Sequence, residues 1–159
     1  MSLSIISLNV NGMKNKKKRL ILYEWIKSSN ADICLLQETH CCNLEESNLY
    51  SKEWCGKTFW ILGTQNSKGL ACLIKPNLDI NVLSNEDYLD GRVQLVQIHI
   101  DELKLSIVNI YAPNVANDRK NFLKLLNTKV KEISNGEYND LILCGDFNCA
   151  QDPKLDRRN

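Results

Sequence analysis

The sequence predicts a single α/β domain over residues 1–159, in which two parallel strand–helix–strand units frame an antiparallel middle. Three observations predict this fold. Residues 3–36 and 103–144 each have the order strand, helix, strand, which is typical of parallel crossovers. The segment between them contains short strands joined by turns. No repeat, low-complexity tract or Pro/Gly-rich linker interrupts the chain, and its 159 residues suit one domain.

The first crossover begins with a strand over 3–11. Ile6, Leu8 and Val10 fall on one face of this strand, and Gly12 ends it. A helix is expected over 16–28, and apolar residues at helical spacing form a stripe along it: Ile21, Leu22, Trp25 and Ile26. The nearly continuous apolar run 31–36 is typical of a strand that is buried on both faces. We therefore expect the two strands to be parallel.

The middle segment is expected to be antiparallel. Two short strands, 59–62 and 70–74, are separated by a turn rich in Gly, Asn and Ser. Residues 93–100 and 103–111 then form a predicted hairpin across Asp101-Glu102.

The second crossover follows this hairpin. Asn117 or Asp118 can cap a helix that runs to about residue 134, and Gly136 suits the position just past its end. The apolar stripe of this helix consists of Phe122, Leu125, Leu126 and Val130. A short apolar strand, 141–144, ends at Gly145 and Asp146.

Composition excludes several functional classes. Twenty Lys and Arg against nineteen Asp and Glu leave a formal charge of +1, which excludes a strongly basic arm or an acidic tail as the dominant feature. No apolar run is long enough for a membrane span or a signal peptide, so we expect an intracellular protein without a membrane partner. The seven cysteines are odd in number and include no CxxC pair, which favours buried hydrophobes over a disulfide scaffold or a zinc site.

Polar side chains follow each of the four crossover strands. Because parallel strands place their carboxyl ends at one edge of a sheet, these side chains are expected to line one cleft. Carboxylate and amide oxygens suit Mg²⁺ or Mn²⁺, and metal-assisted attack on a phosphoester is the chemistry that fits. The alternative is that these residues only cap strands and satisfy turns. The set comprises Asn9, Asn11, Glu38, Tyr111, Asn114, Asp146 and Asn148.

Five motifs in this order carry a family resemblance: SLNVNG (7–12), LLQETH (35–40), GLACLI (69–74), NIYAPN (109–114) and GDFN (145–148). Together they resemble the endonuclease/exonuclease/phosphatase superfamily. With LDR (155–157), the chain is most similar to the endonuclease domain of LINE-type (non-LTR) retrotransposons, which resembles apurinic/apyrimidinic endonucleases. The resemblance implies the amino-terminal part of a two-sheet α/β sandwich flanked by helices, which binds Mg²⁺ or Mn²⁺ and cuts DNA.

The resemblance also implies a role for each site residue. The implied metal set is Glu38, Asn9 and Asp146. Glu38 would be the metal ligand, with Asn9 close to it, and Asp146 would orient or deprotonate the attacking water. Asn148 would hold the scissile phosphate and Tyr111 would lie beside it. Asn114 would support the substrate site. Asn11, also assigned to it, is an acid in apurinic endonucleases, and this departure favours the retrotransposon relatives.

One motif of the resembled family is absent from this chain. The family pattern closes with a Ser-Asp-His motif, and the two histidines here, His40 and His99, do not match it. His40 shares strand parity with Glu38 and could approach the cleft. We therefore expect a carboxyl-terminally truncated domain with an exposed strand edge and apolar faces, which is marginally stable, monomeric or aggregation-prone. Little or no nuclease activity is expected, and the resemblance implies a nuclear location.

A basic run follows the first strand end and is a candidate for DNA phosphate contacts, although a solvated helix start is the alternative. Three functional hypotheses remain open. The first is a DNA endonuclease, the second is a phosphatase of the same superfamily, and the third is a non-catalytic remnant that at most binds nucleic acid or protein. The basic run comprises Lys14, Lys16, Lys17, Lys18 and Arg19.

Overall fold

The computed structural model describes residues 3–138 and 140–149, which form two four-stranded sheets packed face to face with helices on the outer faces. The first sheet contains β1 (Ile5–Asn9), β2 (Ile33–Gln37), β3 (Lys57–Ile61) and β4 (Leu70–Ile74). The second contains β5 (Asn81–Tyr88), β6 (Val93–Ile100), β7 (Leu103–Tyr111) and β8 (Asp140–Asp146). The described helices are α1 (Lys16–Ser28), α2 (Leu44–Trp54) and α3 (Ala116–Ser134).

Strand order confirms both predicted crossovers. The first sheet has the order β1-β2-β4-β3, and β1 and β2 are parallel, as the α1 crossover requires. The second sheet has the order β5-β6-β7-β8, and β7 and β8 are parallel across α3. The remaining pairs are antiparallel, which confirms the predicted middle segment. Both crossovers therefore bring their strand ends to one edge of the sandwich.

Three apolar layers hold the sheets and helices together. Strand β2 serves two of them because alternate residues point to opposite faces: Ile33 and Leu35 pack between the sheets, whereas Cys34 and Leu36 face α1 and α2. The third layer packs α3, through Phe122 and other residues, against the outer face of the second sheet. Burial on both faces explains why β2 has no polar residue before Gln37.

Helix α1 has the predicted bounds, but its predicted apolar stripe is partly wrong. The face turned to the sheet consists of Arg19, Tyr23 and Ile26, whereas Ile21 is 60% exposed and Trp25 is 51% exposed. A buried arginine is tolerated there because its guanidinium pairs with Glu53 of α2. Tertiary pairing, rather than side-chain hydrophobicity, decides which face is buried.

Several elements differ from the sequence expectation. Neither α2 nor β5 was expected, because α2 is rich in polar residues and β5 alternates only weakly. Asn117 and Asp118 lie inside α3, not at its cap, since the helix begins after Val115, which makes no side-chain capping bond. Gly136 does lie just past the end of α3, and its N–H donates to the carbonyl of Ile133 at 2.9 Å.

Within the described part of the chain, β1 and β8 are edge strands of their sheets. The exposed side chains of Ile21 and Trp25 lie beside the β1 edge, where they line a groove with Leu8. This groove is an exposed apolar surface among the described residues. No helix of residues 3–138 and 140–149 is long and apolar enough to cross a membrane.

The seven cysteines are free thiols, and they divide into buried and less buried groups. Cys34, Cys41 and Cys72 are buried, and burial raises the pKa of Cys34 and Cys41 to about 12. A thiol held in its protonated form is a poor nucleophile and a poor metal ligand. These three cysteines act as small apolar side chains.

Candidate active site

Two carboxylates from different sheets meet on one amide group. Glu38 follows β2 in the first sheet, and Asp146 is the last residue of β8 in the second sheet. Asn9, at the end of β1, donates from Nδ2 to Oε1 of Glu38 at 2.8 Å and to Oδ2 of Asp146 at 2.8 Å. The three residues are up to 137 positions apart in the chain, so only the sandwich brings them together.

Tyr111 closes one side of this cluster. It ends β7 beside Asp146, its register partner on β8, and it is 5% exposed. Burial, followed by interaction with the Glu38 carboxylate, raises the pKa of Tyr111 to about 12. The guanidinium of Arg92 lies 5.2 Å from the centre of the tyrosine ring and opposes that shift. At neutral pH Tyr111 is therefore a protonated hydrogen-bond donor directed at the acidic cluster.

Asn148 is held in a tight turn after β8. Its Nδ2 donates to the carbonyl of Ala112 at 2.7 Å, and its N–H donates to Oδ1 of Asp146 at 2.9 Å. The second bond orients the Asp146 carboxylate from the side opposite Asn9. Asn148 therefore lies at the cluster, as predicted.

The two remaining predicted amides lie at the rim. Asn11 is exposed, and its N–H donates to Oδ1 of Asn9 at 3.0 Å. Asn114 is exposed as well, and its carbonyl accepts a bond from Arg119 at 2.8 Å. Neither side chain contacts the carboxylates through a hydrogen bond among the described residues.

Four residues at these strand ends have left-handed backbone conformations. The φ angles are 44° at Asn11, 52° at Glu38, 55° at His40 and 49° at Asn148. Asparagine adopts this conformation readily, but for glutamate and histidine it costs roughly 1–2 kcal/mol each. The conformation turns the chain sharply after each strand, and after β2 it brings Glu38 and His40 together at the cluster.

His40 approaches the cluster, as its strand parity suggests. Its Nε2 lies 3.5 Å from Oε2 of Glu38 and is buried without a hydrogen-bond partner in the described residues. Gly12 makes room for this ring: a Cβ on Gly12 would lie 3.0 Å from Nδ1 of His40. The first and second strand ends are thus packed against each other.

The predicted DNA-contact run divides into two groups. Lys14, Lys16 and Lys17 are exposed and available to solvent. Arg19 does not fit the prediction, because it is 2% exposed and bonded to Glu53 through Nε at 2.5 Å. Lys18 is largely committed to the protein as well, since its Nζ donates to the carbonyls of Val10 and Asn11, at 2.6 and 2.8 Å.

The donor set fits a hard divalent cation. The two carboxylates, Glu38 and Asp146, need a compensating charge, and Mg²⁺ typically takes one or two protein carboxylates and keeps several waters. In the structure Asn9 donates from Nδ2 to both acids and accepts at Oδ1 from the N–H of Asn11, so its amide orients the two carboxylates. Its membership of the metal set stays a prediction. Among residues 3–138 and 140–149, no three His, Cys, Asp or Glu side chains gather as a metal cage.

Sequence reasoning missed Arg92, although the predicted hairpin contains the signal. A turn at Asp101-Glu102 fixes the β6–β7 register and places residue 92 opposite Tyr111, whose N–H donates to the Arg92 carbonyl at 2.8 Å. The same register places Gln94 opposite Asn109 in the buried interior. A cation and a pair of amides beside the site could therefore have been found from the turn alone.

Comparison with solved structures supports the fold. A mannosyl-6-phosphatase from Bacteroides thetaiotaomicron has a TM-score of 0.73 at 16% identity, over 94% of this chain and 67% of that one. TDP2 from D. rerio, complexed with single strand DNA product, has a TM-score of 0.70 at 20% identity, over 96% of this chain and 63% of that one. An AP endonuclease from Archaeoglobus fulgidus has a TM-score of 0.69 at 20% identity, over 96% of this chain and 60% of that one. At these identities the likeness shows the shared two-sheet fold.

Comparison with curated proteins finds a transposon relative. The chain is 29% identical over 154 residues to the "Transposon TX1 uncharacterized 149 kDa protein" of Xenopus laevis. The match spans 97% of this chain but only 12% of that protein. Residues 6–158 also match the Endonuclease/Exonuclease/phosphatase family, and the chain belongs to this family.

Proposed function

We propose that this chain is a Mg²⁺- or Mn²⁺-dependent hydrolase of DNA phosphodiester bonds, of the kind found in LINE-type retrotransposons. The observation that carries the proposal is the bridge from Asn9 to Glu38 and Asp146. It joins two acids from separate sheets beside a buried tyrosine, an arrangement suited to metal-assisted attack on a phosphoester. The transposon relative and the DNA-bound TDP2 neighbour favour DNA as the substrate.

Each side chain of the cluster has a chemical task in this proposal. Glu38 would hold the cation, which when bound supplies charge to a phosphate oxygen. Asp146 would accept the proton of the attacking water, and the N–H groups of Asn9 and Asn148 keep its carboxylate in place. Tyr111, protonated below its raised pKa of about 12, would donate to a phosphate oxygen.

The surface beside the cluster suits a phosphate backbone. Lys14, Lys16 and Lys17 are exposed just after the β1 strand end, which places them next to Asn9 and Asn11 in the chain. Each phosphate contact that a lysine makes on duplex DNA contributes about 0.9 to the slope of log affinity against log salt. A Lys14→Gln/Lys16→Gln/Lys17→Gln variant should therefore bind duplex DNA with a flatter salt dependence, and an unchanged slope would remove these residues from the interface.

A supercoiled-plasmid nicking assay tests the proposal. The protein is used in excess over plasmid, with Mg²⁺ and with EDTA, so that slow single turnovers are detected. We expect slow nicking, because the Ser-Asp-His motif is absent. The only histidine near the cluster in the described residues is His40, which contacts Glu38 and therefore does not take the place of that motif. Glu38→Gln and Asp146→Asn should abolish it. Glu137→Gln, a matched change at an exposed acid outside the cluster, should not. Nicking that persists in both cluster variants would contradict the proposal.

The phosphatase hypothesis is the second candidate, since the mannosyl-6-phosphatase neighbour shares the fold. It is tested on the same samples by release of inorganic phosphate from sugar phosphates. Glu38-dependent phosphate release without plasmid nicking would favour this candidate. Binding of DNA by a folded sample with neither activity would favour the non-catalytic remnant.

A further inference from the structure

We propose that a buried network of three amide side chains, Gln37, Gln94 and Asn109, sets the position of one sheet against the other and thereby holds the acidic cluster at its metal-binding spacing. This inference rests on the proposed function, because it concerns the same acids. The three residues are 0–1% exposed and lie between the sheets. None of them is among the residues to which the sequence analysis assigns a role at the site.

Asn109 is the centre of this amide network. From β7 it accepts a bond from Nε2 of Gln37 at 2.7 Å. Its own Nδ2 donates across to the first sheet, to the carbonyls of Leu36 at 3.1 Å and Ala71 at 3.3 Å, and along its own sheet to Oε1 of Gln94 at 3.1 Å. One side chain thus binds β2 and β4 of the facing sheet and β6 of its own.

The other two amides extend the network toward both sides. Gln94 donates to the carbonyl of Phe59 on β3 at 3.0 Å and to Oδ1 of Asn85 on β5 at 2.8 Å. Gln37 donates to Oγ of Ser7 on β1 at 3.0 Å. The amide network therefore reaches every strand of the sandwich except β8, and β8 is paired in register with β7.

The amide network lies directly under the acidic cluster. Gln37 immediately precedes Glu38, and Asn109 lies two residues before Tyr111 on the same face of β7. Because Tyr111 pairs with Asp146, any sliding of the second sheet past the first would move Tyr111 and Asp146 together, away from Glu38. Hydrogen bonds have narrow geometric limits, whereas apolar contacts between sheets tolerate sliding.

Stability alone does not account for buried amides at this place. Replacing both partners of a buried hydrogen bond with apolar groups of similar shape can be nearly neutral or stabilising, so core stability does not require the bonds that Asn109 makes with Gln37 and Gln94. Fully satisfied polar networks instead specify one arrangement of the elements they join. The position of this network, under the cluster rather than at the far end of the sandwich, points to the cluster as what is specified.

The test replaces the amide network as a unit. Gln37→Met/Gln94→Met/Asn109→Leu keeps similar volumes and leaves none of the three amides half-bonded. The backbone carbonyls of Leu36, Ala71 and Phe59 each lose a donor, so we expect a lowered thermal midpoint in a protein that still folds, together with at least tenfold weaker Mn²⁺ binding by titration calorimetry. Ser106→Ala is the control. Ser106 is also fully buried on β7 and hydrogen-bonded, to the Tyr138 carbonyl at 2.7 Å, but it lies three residues before Asn109, farther from the cluster.

A second readout needs no metal. The side-chain amide protons of Asn9 bond to both carboxylates, so their NMR shifts and their exchange with solvent report the spacing of the cluster. In the apolar variant these protons should shift and exchange faster, whereas in Ser106→Ala they should not. If the triple variant does not fold, Gln94→Met alone should give the same changes at smaller size.

The outcomes separate this inference from the proposed function. Wild-type Mn²⁺ binding and wild-type Asn9 signals in a folded apolar variant would overturn the inference and leave the proposed function intact. Absence of Glu38-dependent Mn²⁺ binding in the wild-type protein would overturn the proposed function, and the Asn9 signals would then decide the positioning role alone.

Discussion

Replacing Asn9 with aspartate removes the group that the two acids share and adds a third negative charge. Each of the two charge-assisted bonds from Nδ2 contributes about 1.5–3 kcal/mol when intact. Their partial exposure favours the lower end, so their loss costs about 3 kcal/mol. Repulsion among three carboxylates adds about 1–4 kcal/mol at a separation near 4 Å. We therefore expect the metal-free Asn9→Asp protein to be destabilised by about 4–7 kcal/mol.

Thermal unfolding in EDTA and in excess Mg²⁺ measures this effect. A loss of that size lowers the midpoint by about 10 °C or more for a domain of this length. Added Mg²⁺ should raise the midpoint more in Asn9→Asp than in the wild type, because a cation that binds only the folded state stabilises it, and three carboxylates bind it more tightly. Asn11→Asp makes the same change of charge two residues away at an exposed position. Equal midpoints for the two variants in EDTA would refute the bridging role of Asn9.

Three further predictions concern the fold and its dependence on pH. The bond from Arg19 lowers the pKa of Glu53, so the free energy of unfolding of the wild type should fall as the pH drops through that lowered pKa, and it should fall less in Glu53→Gln. Arg19→Met should lower the free energy of unfolding in urea by about 3–5 kcal/mol. In Gly145→Ala the new Cβ would lie 2.0 Å from a backbone oxygen of β7, and the φ of 143° is strained for alanine. Denaturant titration should therefore show a free energy of unfolding lower by about 1–3 kcal/mol. The pKa of Tyr111 rises from 10.0 to about 12, so stability should fall as pH rises through that window, and a Tyr111→Phe variant with the same alkaline profile would contradict this.

Periodicity and turn chemistry predicted most of the sheet. The apolar runs over 70–74, 93–100 and 103–111 match β4, β6 and β7 at both ends, because each is too short for a typical helix and is bounded by turn residues. Strand β5, Asn81–Tyr88, was missed because its exposed and half-buried residues give no alternation that can be read before its partner is known. Pairing with β6 makes this segment a strand.

The cluster was predictable as a set of strand ends but not as a geometry. Glu38 and Asp146 both follow apolar runs, which identifies them in the sequence. The role of Asn9 as a donor to both acids depends on the approach of two sheets, and no local pattern encodes that approach. The burial of Arg19 was not predicted for the same reason. A charged residue is expected to face solvent, and its ion pair with Glu53 of another helix is not visible in the local sequence.

At the left-handed turns of Glu38 and His40, the residue that would relieve backbone strain is not the residue that the cluster uses. Glycine adopts positive φ without the steric penalty that these residues bear. A screen for heat resistance should therefore enrich glycine at position 40, whereas at position 38 the lost bond from Asn9 offsets the strain relieved. At position 38 that change deletes a carboxylate of the cluster, and at position 40 it removes the ring packed over Gly12. A lineage released from selection for catalysis would therefore accumulate stabilising replacements at the His40 turn, while its core strands stayed recognisable.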